Sequence, residues 1–144
     1  MSYTITAEVY QTGKNTFFHV VEKAVWKYAN GGTWGETNGA YVLTMGGSGT
    51  CGSLRFAPDT GENFIVTLGV HNYKRWGGIV TNLTPDQTGI VITPQYYSDQ
   101  HRNREKQREA QLRSYNVKNS KGRNTAFTYT MADRKNLVVK IVIG

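Results

Sequence analysis

The chain has 144 residues, a formal net charge of +7, a pI near 9.6 and one cysteine, Cys51. That length fits one domain over 1–144 with a core that needs no staples, and a lone cysteine excludes an intrachain disulfide. The start of the chain lacks a basic and apolar leader, and no apolar run approaches the ~20 residues of a membrane span, so a soluble, cytoplasmic protein is expected.

The dominant period is two. Tyr3, Ile5, Ala7 and Val9 alternate with Thr4, Thr6, Glu8 and Tyr10, the pattern of a half-buried strand. Further strands are predicted over Val20 to Tyr28, Ala40 to Met45, Ser53 to Ala57, Phe64 to Val70 and Ala126 to Met131. Turn residues separate them at Asn30-Gly31-Gly32, Asn38-Gly39, Gly46-Gly47 and Pro58-Asp59-Thr60-Gly61. Asn38-Gly39 is a hairpin signal, because both central residues of a type I′ turn need positive φ. Thr84-Pro85-Asp86-Gln87 then reads as a helix start, with Thr84 as N-cap and Gln87 closing a capping box. A short helix through about Val91, ended by Pro94, is expected to precede a charged helix over Ser98 to Arg113, with Glu109 and Arg113 at i,i+4 spacing. A final strand alternates Leu137, Val139, Ile141 and Ile143 on one face. Short strands at this spacing predict an antiparallel sandwich or barrel, interrupted by a helical connection near residues 84–113.

The most informative stretch is Gly69-Val70-His71-Asn72-Tyr73-Lys74-Arg75-Trp76. A strand ending in imidazole, amide, phenol and indole groups is a candidate for small-ligand recognition. The glycine segment Gly46-Gly47-Ser48-Gly49-Thr50 would let a second backbone approach the same ligand. Gly47 to Gly52 matches a G-x-G-x-x-G pattern, but strand-like Ser53-Leu54-Arg55-Phe56 follows where a dinucleotide site needs a helix. It reads as a glycine turn between strands, either a ligand loop or purely structural. His19, His71 and His101 stand at no metal-ligand spacing, so no metal is expected. No nucleophile elbow or visible carboxylate pair supports an enzyme, and no cofactor is implied. Trp26, Trp34 and Trp76 are assigned to the core by default, with a pocket wall as the alternative for Trp76. The basic residues of the second half, mixed with acids, read as a solvated surface, and no nucleic-acid partner is expected. Asn82-Leu83-Thr84 is a glycosylation sequon, expected to be unused without a secretory signal.

Five blocks carry a resemblance: Lys27-Tyr28-Ala29-Asn30-Gly31-Gly32-Thr33-Trp34, Thr44-Met45-Gly46-Gly47-Ser48-Gly49-Thr50, Gly69 to Trp76, Ile79-Val80-Thr81-Asn82-Leu83 and Ile141-Val142-Ile143-Gly144. The chain resembles the fungal fruit-body lectins from its first strand to its last residue. The resemblance implies an actinoporin-like β-sandwich, a non-enzymatic homotetramer, a defence role and two sugar sites per subunit. The first would take Galβ1-3GalNAc at Ala29, Ser48, Gly49, His71 and Asn72. The second would take N-acetylglucosamine at Gly78, Ile79, Val80, Thr81, Arg104 and Tyr115. There the chain departs from the family, with Gly77-Gly78 in place of the usual Cys-Asp pair, so a weakened second site is expected. The competing expectation is a membrane-active, pore-forming protein, favoured by positive charge and by aromatics expected to be exposed near Tyr96-Tyr97. A strand-like start disfavours it, because a pore former needs a detachable amphipathic helix.

Overall fold

The computed structural model describes residues 2–14, 16–27, 31–58 and 61–144. Among them, β1 (Tyr3–Gln11), β2 (His19–Lys27), β3 (Gly32–Thr37), β4 (Ala40–Met45), β5 (Thr50–Ala57), β6 (Phe64–His71) and β7 (Lys74–Val80) precede a helical connection. That connection holds α1 (Gly89–Ile92), a 3-10 turn (Thr93–Tyr97) and α2 (Arg102–Ala110). The strands β8 (Ser114–Lys118), β9 (Asn124–Met131) and β10 (Asn136–Ile143) follow. A six-stranded sheet in the order β3-β4-β1-β10-β9-β8 faces a four-stranded sheet in the order β2-β5-β6-β7. All pairings are antiparallel except β1 with β10, which run parallel. A parallel pair needs a long crossover, and here the rest of the fold supplies it.

The main core lies between the sheets. It takes the buried sides of β1 (Tyr3, Ile5, Ala7) and β10 (Leu137, Val139, Ile141, Ile143), as the alternation predicts, and packs them on Leu54, Val66 and Leu68. A second cluster lies on the other face of the four-stranded sheet, where Ile65 and Trp76 meet Ile92 and Tyr96 of the helical connection. Phe64 through Val70 are therefore all buried. This explains their unbroken apolar run, since a strand covered on both faces loses the alternation. Trp76 is fully buried, while Trp26 and Trp34 pack at the edges of the two clusters.

Several expectations change. Half of the capping box forms, with the Thr84 N–H donating to Gln87 Oε1 at 2.9 Å, while the Thr84 hydroxyl donates to Asp86 Oδ1 and the Gln87 N–H bonds the Thr84 carbonyl, closing one turn only. α1 starts at Gly89, whose N–H donates to the Glu22 carboxylate at 2.7 Å. The orphan N–H of that helix start is thus met from β2. α1 ends at Ile92, close to the expected Val91, and Pro94 follows in the first turn of the 3-10 segment. α2 begins at Arg102, four residues after the predicted Ser98, and ends early because Gln111 turns left-handed, at φ 47°. Arg113 gives its Nε–H to the Tyr129 carbonyl at 2.9 Å, so the Glu109–Arg113 pair does not form. Tyr96 is fully buried and Tyr97 half-buried, against the expected exposed aromatics. Strands β3, β7 and β8 were not predicted. The expected strand end at Tyr28 and the turn residues Asn30, Asp59 and Thr60 lie outside the described residues. The Asn38-Gly39 turn forms as expected, with φ of 52° and 80° between paired Thr37 and Ala40. β1 is held between β4 and β10, with both edges hydrogen-bonded. Among the described residues no helix is long and apolar enough to cross a membrane.

Candidate functional site

β6 and β7 are joined by a two-residue turn, with His71 paired to Lys74 and Asn72-Tyr73 between them. Asn72 has φ 49° and Tyr73 φ 65°. Both are left-handed, as a type I′ turn requires. Asparagine tolerates this region, whereas tyrosine carries the ~1–2 kcal/mol penalty of its Cβ. Neighbouring segments hold the turn in place. The Tyr73 N–H donates to Ser48 Oγ at 3.0 Å, the Gly49 N–H donates to the Val70 carbonyl at 2.7 Å, and Gln111 Nε2 donates to the His71 carbonyl at 2.6 Å. Gly49 itself has φ 95°, a conformation that suits glycine. The glycine segment after β4, the β6–β7 turn and the C-terminal end of α2 therefore converge on one end of the sandwich. The G-x-G-x-x-G match is the entry to β5, as the following strand implied.

His71 stands on the helix-covered side of this cluster. Its Nε2 lies 3.5 Å from Glu109 Oε1, and its ring meets the edge of Tyr97 at 5.7 Å. Glu109 pairs with Arg108, whose guanidinium lies 4.6 Å above the Tyr97 ring and donates to the Tyr96 carbonyl at 2.9 Å. Tyr97 in turn stacks on Trp26 at 4.3 Å. Burial and the Arg108 charge hold the His71 pKa below its ordinary 6.5, and the Glu109 carboxylate opposes them. Arg108 holds Glu109 below its ordinary value. At neutral pH the pair is a neutral imidazole beside a carboxylate. A carboxylate only accepts, so the imidazole hydrogen belongs on Nε2 and Nδ1 is left as an acceptor.

Of the first predicted set, Ser48, Gly49, His71 and Asn72 come together, and Ala29 lies outside the described residues. Glu109, Gln111 and Tyr97 were missed. Nothing local in the sequence marks them, because only the fold brings the helical connection onto β6.

The second predicted set is arranged differently. Gly78, Ile79 and Val80 are buried in β7. Ile79 faces the main core and Val80 the second cluster, so their side chains are not offered to a ligand. A Cβ at Gly78 would meet the Tyr96 hydroxyl at 2.5 Å and Gln107 Oε1 at 2.7 Å, and one at Gly77 would meet the Phe127 ring at 2.6 Å. Both glycines are thus packing positions for large side chains. Burial pushes the Tyr96 phenol pKa up, and Arg104 and Tyr115 are close enough to act on it electrostatically. Arg104 also lines a cavity of about 490 Å³ at the start of α2, together with Asp99, Gln100 and His101. Thr81 follows the end of β7 and is half-buried. No group of three His, Cys, Asp or Glu able to hold a metal ion occurs among the described residues.

The sequence profile of the fungal fruit body lectins matches residues 1–141. The chain belongs to the fungal fruit body lectin family. It is 48% identical to the Boletus edulis lectin over 145 residues, covering 100% of both chains. Wild-type Xerocomus chrysenteron lectin is similar in structure, with a TM-score of 0.95, 49% identity and full coverage of both chains. A methionine-substituted form of that lectin gives a TM-score of 0.96 at 50% identity, covering 100% of this chain and 99% of the other. This fruit body lectin is accordingly a carbohydrate-binding protein and not an enzyme, and its fold is the β-rich sandwich of those relatives.

Proposed function

We propose that the lectin recognises Gal/GalNAc-type glycans, and Galβ1-3GalNAc in particular, at the cluster of Ser48, Gly49, His71 and Asn72, with Ala29 assigned to the same site by sequence. The observation that carries this reading is the bonding of the β6–β7 turn to Ser48 and Gly49, which leaves usable polar groups at one end of the sandwich. Ser48 Oγ accepts from Tyr73, so its own hydrogen stays free to donate. Asn72 is exposed, and its side-chain amide makes no hydrogen bond among the described residues. An axial 4-hydroxyl both donates and accepts, and a serine hydroxyl beside a primary amide satisfies both roles. His71 Nδ1 offers one further acceptor. An equatorial epimer would leave these groups unpaired, which is how such a site discriminates. A glycan array tests the reading: strong signals on Galβ1-3GalNAc-terminated structures are expected, and silence on all Gal- and GalNAc-terminated glycans would refute it.

The second set, Gly78, Ile79, Val80, Thr81, Arg104 and Tyr115, is assigned to N-acetylglucosamine with reduced affinity. Gly78 supplies no carboxylate, and charge-assisted bonds are roughly twice as strong as neutral ones. The protein is assigned as a cytoplasmic homotetramer that meets glycans on glycoproteins or glycolipids and acts in defence. The outer strands β2, β3, β7 and β8 are the sheet edges an assembly would cover. Several sites on one particle would then bind a cell surface with avidity above that of a single site. The pore-forming alternative receives no support from β1, which is paired on both sides.

A further inference from the structure

A second polar feature lies on the other side of the β6–β7 turn, toward the interior between the sheets. A cavity of about 210 Å³ opens there between this turn and the β9–β10 connection. Its floor is apolar, from Val70 and Leu137, and its rim carries Tyr73, Lys74, Arg75, Asp133 and Arg134. Three cations thus face one acid. None of the three forms an ion pair among the described residues, and neither does Asp133. Arg75 Nε is buried with no hydrogen-bond partner, although the residue as a whole is half-exposed. A buried charged donor without an acceptor is costly. Arg123 is answered by Glu62 at 2.7 Å, and Arg108, whose Nε is also unpartnered, is answered at its other nitrogens by Glu109 and the Tyr96 carbonyl, while Arg104 Nε is likewise buried without a partner. Unlike Arg108, Arg75 forms no hydrogen bond or ion pair through its other side-chain nitrogens among the described residues, and it faces a cavity of net positive charge.

We propose that this cavity is an anionic subsite that takes the carboxylate or sulfate group of an acidic glycan whose neutral end occupies the Ser48–Asn72 site. The assignment rests on the sugar reading given above. Tyr73 joins the two places. Its N–H is bonded to Ser48 and its side chain, 76% exposed, lines the cavity. A substituent leaving the first site across Tyr73 reaches Arg75 and Arg134. The guanidinium fork of Arg75 suits a planar carboxylate or a sulfate. Lys74 and Arg134 add charge at the exposed rim, and the apolar floor excludes water below the anion.

The test is calorimetric titration of neutral Galβ1-3GalNAc, and of the same disaccharide carrying a sialic acid or a sulfate ester, onto the wild type, Arg75→Met and Arg134→Ser. The wild type is expected to bind at least one acidic form about tenfold more tightly than the neutral one at low salt. Arg75→Met removes that advantage and Arg134→Ser reduces it, while neutral affinity is unchanged in both. The sialylated and sulfated arms show which anion is preferred. Arg134 is exposed, so its variant stays informative if Arg75→Met folds poorly. Acidic forms that bind no better than the neutral one, or an advantage that survives both substitutions, overturn the subsite. Failure of the sugar reading looks different, because the neutral disaccharide then does not bind at all. For that case a titration with inorganic sulfate follows the Arg75 Nε–Hε resonance, identified by its loss in Arg75→Met. A shift supports the anion site independently of sugar, and an unmoved resonance overturns it.

Discussion

The two candidate sugar sites are built on opposite principles. The first lies where chains reverse. Ser48, Gly49 and Asn72 belong to turns, the Gly49 N–H and the Ser48 hydroxyl are bonded across segments, and the Asn72 amide stays free at the surface. The second lies along a strand. Gly78, Ile79 and Val80 are in β7 beneath Tyr96 and Gln107, and only Thr81, Arg104 and Tyr115 approach solvent. A turn can spare its side chains for a ligand because packing does not need them. A strand covered on both faces cannot, and what it offers is backbone at its edge. From this contrast, change at the Asn72 side chain is expected to alter binding and change at Gly78 to alter stability.

The largest effect expected from this contrast is on binding. Asn72→Gly keeps the left-handed turn and removes only the amide. Affinity for Galβ1-3GalNAc should fall roughly tenfold to a hundredfold, following the ~1–3 kcal/mol cost of an unsatisfied partner. The melting temperature should hold or rise. Ser48→Ala should lower affinity similarly but also cost about 1 kcal/mol of stability, because it removes the acceptor of the Tyr73 N–H, and calorimetry beside a thermal melt separates affinity from folding. At the second site the effect falls on stability. Gly78→Ala drives a methyl group against Tyr96 and Gln107, and overpacking of this kind costs about 1–3 kcal/mol. Urea denaturation should show that loss, and an unchanged midpoint would mean that the helical cover lifts freely from β7.

Smaller effects sharpen the picture. Tyr73→Gly relieves a non-glycine residue at φ 65° and should raise stability by up to about 1 kcal/mol. A fall would show that the exposed ring contributes packing across the cavity. The His71 pKa lies below its ordinary 6.5 in the folded protein. The unfolded chain therefore takes up that proton first, and stability declines as pH drops from 6.5 toward the depressed value. The window opens at 6.5, whereas Glu62 and Glu109 are held below their ordinary 4.5. Equilibrium unfolding between pH 8 and 5 should show the slope in the wild type and a flatter line in His71→Gln. Binding of the disaccharide should weaken across the same range as His71 loses its acceptor. Identical pH slopes in the two proteins would remove His71 from the account.

Much of this was legible in the residues, for identifiable reasons. The alternation in β1 and β10 needs no tertiary knowledge, and Asn38-Gly39 specifies its own turn. Asn72-Tyr73 forms the same turn type without a glycine, and the strand after it was not read as one. β7 contains Gly77 and Gly78, which look like a break but make room for Phe127 and Tyr96. The capping box at Thr84 promised a helix, yet the bond from Gly89 to Glu22 starts it five residues later. That bond is tertiary and leaves no local trace. The same holds for Glu109 and Gln111, which reach His71 only because α2 packs back on β7 and ends at the turn. The resemblance to the family identified Ser48, Gly49, His71 and Asn72 as a set. It did not show that Gly78 is packed against Tyr96.

The central claim is that the turn site, and not the strand site, holds Galβ1-3GalNAc. Titration of that disaccharide onto isotope-labelled protein tests it most directly. The account predicts progressive shifts at the amides of Ser48, Gly49, His71 and Asn72 while those of Gly78 to Thr81 stay unmoved. Shifts confined to the β7 end and Arg104, or none at the turn at saturating sugar, would contradict it.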